Sequence, residues 1–418
     1  MSTHENKRVE SLTTSPREAP RKPFNGEGRL PSPELDAVIA RACVEAGGWL
    51  SFDRFMHLAL YTPGLGYYSG GRVTFGRMPG GLAGTGAGSD FVTAPEMSPL
   101  FGRLLGRQVR QALQVTGTRE VWEFGAGTGA LCSQILQHES EYQKAGEPSF
   151  IQKYTIVDVS GAWRGVQRER LAVWGDRVRW ADQLPDQIEG VVLGNEVLDA
   201  MPVRLLARRG GVWHERGVSR RPDGDPADAA VGPWVWVDRP TDARPPVEVE
   251  GTHDHVTEIH PHAEAFVRTL ADRLVRGAVL LIDYGFPESE YYHPQRHMGT
   301  LACHQAHRVD DRPLERVGEK DLTAHVNFTG VALAAQSAGL EVLGYTTQGR
   351  FLINLGWAEC LDALPLDAAG VAARAMAARL VNEHEMGELF KVLMLAPPAS
   401  AQGWCPRGVI HGDRTHTL

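Results

Sequence analysis

Residues 121–131, VWEFGAGTGAL, decide the fold: a short apolar run enters three glycines at alternate positions, Gly125, Gly127 and Gly129, and leaves into a segment of helical character. Glycines there let the backbone turn tightly and approach a ligand with no Cβ in the way, while the helix that follows aims its free N–H groups at the same point. A strand, a glycine turn and a helix in that order open a nucleotide-binding α/β unit. The loop also satisfies G-x-G-x-x-A, the dinucleotide pattern, so its glycines alone leave two cofactors in play.

The neighbours of the loop separate them. Glu123 sits just before the glycines. An acid there repels a pyrophosphate but suits a ligand that carries positive charge and hydroxyls. S-adenosyl-L-methionine has both, in its sulfonium and amino groups and in its ribose. Gly125, Ala126 and Gly127 are then the expected cradle. The second strand, KYTIVDVS, closes on Asp158, the position from which an acid takes the ribose hydroxyls. Asp158 lies 33 residues beyond Gly125 rather than about 20, so an insertion is expected over residues 138–149. A helix over 164–174 and an edge strand, RVRWADQL, follow and place Asp182 near the adenine.

The fourth strand, GVVLGNE, ends in GNEVLDAMPV. In open α/β sheets ligands lie off the carboxyl ends of the strands near the switch point, which puts Asn195, Glu196 and Asp199 opposite the transferred methyl group. A carboxylate at Glu196 can grip a guanidinium bidentately and turn one nitrogen toward the sulfonium carbon. Asn195 and Asp199 read equally well as caps of a helix starting at Val197.

Elsewhere, apolar residues at helical spacing over 33–61, broken by Gly47 and Gly48, predict two helices, with Ser51 as cap of the second. Ser98 caps a helix expected from Pro99 to about Leu113. A polar excursion at about 205–262 reads as an inserted hairpin region. Strand five is GAVLLIDYG, after the helix AEAFVRTLADRLV, with Asp283 either facing the site or forming a turn. LEVLGYTTQ and ELFKVLMLA complete seven strands alternating with helices, an α/β fold. The expected division is an arm over 1–31, a helical cap and cofactor lid over 32–115, the main domain over 116–398 and a tail over 399–418.

Bulk properties narrow the function. The 418 residues are 42% hydrophobic and 22% charged, with a net charge of −8. That balance offers no pull on nucleic acid or an anionic membrane and favours a basic partner. Five scattered cysteines without a CxxC pair predict neither a disulfide frame nor a zinc knuckle. No apolar run approaches the roughly 20 residues of a membrane span, and the polar start has no signal-peptide core, so the expectation is a cytoplasmic enzyme. Histidines gather at 253, 255, 260 and 262 and again at 293, 297, 304 and 307. Neither group has the cysteines or acid spacing of a zinc site, so no metal is expected. Arg296 and Tyr292 instead read as shaping the substrate entrance.

The motifs YYSGG, SDFVTAPEMSPLFG, WEFGAGTGAL, GNEVLDAMPV, LLIDYGFPESEYYHPQR, GTLACHQAH, DLTAHVNFT, TTQGRFLINLG and GELFKVLML occur in an order that resembles the MidA-like methyltransferases over about residues 35–397. The resemblance implies a class I, Rossmann-like methyltransferase fold, S-adenosyl-L-methionine as donor and a protein substrate presenting arginine. For the mitochondrial member, which is concerned with respiratory complex I, it implies symmetric dimethylation, and it makes the mitochondrial matrix the alternative compartment. It also implies that Thr93, Pro95 and Glu96, in the TAPE segment, close over the cofactor. The chain departs from the family in a longer glycine-rich stretch before Asp90 and in an Asp at 158 where the family often has Glu. Within DLTAHVNFT, His325 is expected on the active face beside Glu196, as acid clamp and wall for a guanidinium; satisfaction by local backbone is its other reading.

Overall fold

The computed structural model describes residues 32–70, 92–143, 149–158, 160–222, 232–305 and 308–418. The expected arm, the glycine-rich stretch over 71–91 and His307 lie outside these described residues.

The central sheet contains β1 (Glu120–Phe124), β2 (Lys153–Val157), β3 (Val178–Ala181), β4 (Ile188–Asn195), β5 (Leu274–Phe286), β6 (Glu341–Thr347) and β7 (Phe390–Ala396). Their order is β6-β7-β5-β4-β1-β2-β3. The first five are mutually parallel, and β7 runs antiparallel to both β5 and β6. The strand order reverses between β1 and β4, which makes that crevice the switch point where an open α/β sheet binds ligands. An eighth strand, Val326–Asn327, pairs with the end of β5. The sheet therefore has one strand more than expected. Gly285 permits the pairing, since a Cβ there would lie 2.1 Å from the Val326 carbonyl oxygen.

Alternation along β1 sends Val121 into one core and Trp122 and Phe124 into the other. The first core packs beneath α3 (Pro99–Thr116) and α4 (Ala130–Tyr142); the second packs beneath α6 (Pro261–Arg273) and α7 (Phe328–Ser337). Each fully buried Leu, Ile or Val in them contributes about 1.5–3 kcal/mol relative to exposure. Ser98 caps α3 as expected, accepting from the Leu100 N–H at 3.3 Å, and Gly117 ends it in the left-handed region at φ 66°.

Helix α4 runs five residues past the expected end at Gln137. Its polar stretch stays helical because Glu139, buried, takes the Arg177 guanidinium at 2.8 Å and the Phe150 N–H at 2.6 Å. The long spacing from the glycines to Asp158 is thus partly helix rather than a polar connection.

The excursion after β4 is larger than a hairpin. Strands Arg204–Arg209, Val212–Arg220, Trp234–Pro240 and His255–Ile259 form an antiparallel sheet, and Leu50–Ser51 adds to Val212–Arg220. Helices α1 (Pro33–Glu45) and α2 (Phe52–Tyr61) share its core: Leu35, Ile39, Phe52 and Phe55 pack with Leu205, Val218 and Trp234. Sequence reading had no signal for a further three-stranded sheet of Ala302–Gln305, Arg308–Asp310 and Asp321–Thr323.

Residues 399–418 do not trail away as a tail. The Arg414 N–H donates to the Tyr345 carbonyl at 2.6 Å and the Tyr345 N–H to Asp413 at 3.0 Å, so the end of the chain lines β6. No helix among the described residues is long and apolar enough to cross a membrane.

Candidate active site

The glycine loop leaves β1 with Gly125, Gly127 and Gly129 at φ 61°, 51° and 80°, a region other residues adopt only with strain. The Gly125 N–H donates to the Val157 carbonyl at 3.1 Å, which ties the loop to the end of β2. A Cβ at Gly127 would meet nothing within 4 Å, whereas one at Gly125 would lie 3.2 Å from Val197. The loop therefore opens on one side and touches the segment after β4 on the other.

Gln167, fully buried on α5 (Gly161–Leu171), organises the far wall. Its amide donates to the Gly127 carbonyl and to Asp158 Oδ2, each at 2.8 Å, and its carbonyl accepts from Trp180 Nε1 at 2.8 Å. Asp158 Oδ1 accepts from the Ser160 N–H at 2.9 Å. Burial pushes the Asp158 carboxyl above its ordinary value despite these donors. Asp182 is largely exposed and paired with Arg164, which also donates to the Asp158 carbonyl at 3.2 Å. Glu123 lies beneath the loop, buried, and accepts from the Tyr154 hydroxyl at 2.7 Å; burial raises its pKa to about 7.

The helical turn Ala94–Met97 bridges this cradle to the acidic loop. The Pro95 carbonyl accepts from Gln134 Nε2 at 2.7 Å. Glu96 accepts from the Thr128 hydroxyl and from Arg170 Nη1, the latter at 2.6 Å. On the other side the Ala94 N–H reaches Glu196 Oε1 at 3.4 Å. Thr93 precedes the turn in an extended conformation, without a side-chain cap bond.

Past β4 the chain makes a strained corner. Glu196 has φ 54°, one of two non-glycine residues with positive φ among the described residues, and such outliers collect at functional sites. No helix starts at Val197; the segment is a turn, so the helix-cap reading of Asn195 and Asp199 is corrected. The turn is held by Asp283 of β5, whose Oδ2 accepts the N–H groups of Val197, Leu198 and Asp199 at 3.1, 2.8 and 3.3 Å. The Asp199 carbonyl accepts from the Ala324 N–H at 2.9 Å rather than from a following helical turn, and the Glu196 N–H bonds to the Ile282 carbonyl at 2.9 Å.

The turn gathers acceptors. Asn195 Nδ2 donates to Glu196 Oε1 at 3.0 Å, and the Tyr284 hydroxyl donates to Asp199 Oδ2 at 2.5 Å. Asn195 Oδ1 and Asp199 Oδ1 are buried without a donor. Burial, and then the neighbouring Asp199 carboxyl, push the pKa of Glu196 up to about 8. Burial also raises Asp199.

His325 stands behind Tyr284. Its ring stacks on Phe286 with centroids 5.2 Å apart and 3° between planes, and meets Tyr284 edge-on at 5.0 Å. Its N–H of the backbone donates to Thr300 at 3.1 Å, while ring Nδ1 is buried without a partner, so local backbone does not satisfy the ring. Burial lowers its pKa to about 4, and it is neutral at pH 7. Arg296 lies over the same aromatic group, 4.1 Å from the Phe286 centroid. Among the described residues no group of three His, Cys, Asp or Glu side chains is placed to hold a metal.

The structure thus brings Asn195, Glu196 and Asp199 together, joins them to His325 through Tyr284, and sets them against Thr93, Pro95 and Glu96. Asp182 stays on the outer rim. Sequence reading missed the organising roles of Thr128, although it lies within the glycine loop, and of Gln167 and Arg170, which carry no motif. For Asp283 a signal existed: an acid closing the apolar run GAVLLI falls where a strand is buried on both faces.

An open space over Gly127 beside a carboxylate, and buried acceptors lacking donors across the crevice, fit a nucleoside whose other end bears an ammonium and a sulfonium. A family model for S-adenosyl-L-methionine-dependent methyltransferases matches residues 104–346. The Danio rerio protein arginine methyltransferase NDUFAF7, mitochondrial, is 30% identical over 380 residues, covering 83% of each chain. The Homo sapiens protein of the same name is 27% identical over 390 residues, covering 86% of this chain and 83% of its own. A Burkholderia thailandensis crystal structure bound to S-adenosyl-homocysteine has 43% identity and a TM-score of 0.83, covering 93% of this chain and 100% of that one. The chain belongs to the MidA-like family of S-adenosyl-L-methionine-dependent methyltransferases, and S-adenosyl-L-methionine is its methyl donor.

Proposed function

We propose that this enzyme methylates a guanidinium nitrogen of a protein arginine. One observation carries the reading: Glu196 and Asp199 present carboxyls on a single turn anchored by a third, Asp283, and no cationic side chain among the described residues bonds to any of them. A guanidinium supplies a charge and a planar fork of five N–H donors, which such a set of acceptors lacks. The relatives named as arginine methyltransferases support the same acceptor.

When bound, the donor supplies an electrophilic methyl group on a sulfonium for in-line displacement. Gly125, Ala126 and Gly127 line its nucleoside, Asp158 takes the ribose hydroxyls, Asp182 lies toward the adenine, and Glu123 lies buried beneath the loop. Thr93, Pro95 and Glu96 close the cleft against water. Glu196 accepts an N–H of the substrate and takes the proton that the attacking nitrogen must lose. Asp199, held through one oxygen by Tyr284, offers the other to a second N–H. Asn195 Oδ1 accepts from the cofactor amino group or the substrate. His325, neutral, backs Tyr284. Asp283 positions the turn without touching substrate.

The family resemblance extends the proposal to symmetric dimethylation of a respiratory complex I protein, in the compartment where that protein resides, the cytoplasm or the mitochondrial matrix. Incubating the enzyme with methyl-labelled donor and a cell extract, then hydrolysing the protein fraction, tests the reading. Label is expected in methylarginine. Label confined to low-mass compounds would overturn it in favour of a small-molecule methyltransferase.

A further inference from the structure

We propose that Tyr61 and Tyr68, contributed by the N-terminal cap rather than by the central sheet, are substrate-binding residues whose stacked rings form the wall against which the guanidinium lies, selecting arginine over lysine. The inference rests on the arginine reading above and names residues that the cofactor-binding fold does not provide.

Four observations place the wall. The rings stack with centroids 5.6 Å apart and 22° between planes. Their hydroxyls are anchored beside the acidic turn: Tyr61 donates to the Ala200 carbonyl at 2.9 Å, one residue from Asp199, and Tyr68 donates to Asp321 Oδ1 at 2.7 Å. The Ala324 N–H in turn donates to the Asp199 carbonyl at 2.9 Å, so the segment carrying Asp321 is tied to the same turn. Both residues are only partly buried, at the edge of the core that encloses Leu60 and Tyr67. Finally, the row continues outward along α2, where exposed His57, one helical turn before Tyr61, meets it at 5.7 Å.

Burial and the nearby Asp321 and Asp199 carboxyls hold both phenols far above their usual range, so the rings stay neutral and keep their negative π faces. A planar cation between such a face and the carboxyls of Glu196 and Asp199 gains from both sides. A guanidinium fits this slot as a slab, whereas an ammonium is a compact and strongly hydrated point charge.

The test compares wild type with Tyr61→Leu and Tyr68→Leu on an arginine peptide and on its lysine counterpart at saturating donor. Each Leu variant keeps apolar bulk but loses the π face, and is expected to raise KM for the arginine peptide roughly 10-fold, with S-adenosyl-homocysteine affinity kept. Tyr61→Phe, which restores the face, should recover most of that loss. Unchanged KM in both Leu variants, while wild type methylates arginine, would overturn the inference alone. Failure of wild type on every arginine peptide would overturn the arginine reading first, and is visible before any substitution. A second measurement needs no variant: with ring-labelled tyrosine in the wild-type protein, methylguanidinium should shift the Tyr61 and Tyr68 signals at concentrations where methylammonium does not. Equal or absent shifts would overturn the inference.

Discussion

Substrate affinity should depend on pH through Glu196, and the structure sets the size of the effect. In the free protein burial and Asp199 hold this carboxyl at about 8, against an ordinary value of 4.5. Only the ionised form pairs with a guanidinium, so binding must release the proton. Between pH 6.5 and 8.5 the ionised fraction grows about 25-fold, and apparent affinity for an arginine peptide should grow by the same factor before levelling off. The same shift acts on stability in the opposite sense. A folded-state pKa above the unfolded one means that the folded state binds the proton more tightly. The resulting stability is full below about pH 4.5 and is lost as pH rises through about 8. The full loss would be about 5 kcal/mol at most. Glu196→Gln removes both effects: peptide binding becomes weak and independent of pH, and the variant unfolds at a higher temperature than wild type above pH 8. Titration calorimetry with the donor product present, at several pH values, supplies the first measurement and thermal unfolding the second. A flat wild-type binding profile, or the same slope in Glu196→Gln, would refute the reasoning.

Further outcomes follow from contacts around the site and from the opposite end of the sheet. Asp283→Ala strands three backbone N–H groups, two of them buried, and should cost about 2–3 kcal/mol in denaturant unfolding, with methyl transfer falling more steeply than S-adenosyl-homocysteine affinity. Arg170→Met removes the cation that holds Glu96 and should weaken S-adenosyl-homocysteine binding about 5-fold by calorimetry, the order of a partly exposed ion pair. Gly277→Ala would place a Cβ 1.7 Å from the Gly190 carbonyl oxygen and should cost more than about 3 kcal/mol. Gly127→Ala meets only backbone strain and should cost about 1 kcal/mol, a contrast read from paired unfolding curves.

The parallel half of the sheet was legible because every strand but the edge strand β3 announced itself as an apolar run closed by glycine or an acid, and the glycine loop fixed where the cofactor crevice must lie. Glu196 was legible for the same reason, as an acid at the end of β4. What stayed hidden depends on contacts between distant segments. Pairing of Leu50–Ser51 with a strand some 170 residues away leaves no local periodicity, so the excursion looked like a hairpin. Val326–Asn327 is too short for any pattern to register. The turn after Asn195 read as a helix start because the composition of VLDA allows one; the groups that hold it as a turn, Asp283 of β5 on its N–H groups and Ala324 on the Asp199 carbonyl, come from distant segments. Gln167 and Arg170 face the cleft from a helix whose sequence is otherwise that of a solvated surface.

The account stands most directly on where a guanidinium settles. A crystal structure of the enzyme with S-adenosyl-homocysteine and an arginine peptide should show the guanidinium within hydrogen-bond distance of Glu196 and Asp199, with one terminal nitrogen pointing at the sulfur. A guanidinium bound elsewhere, or an acidic turn filled only by water while the peptide is bound, would contradict it.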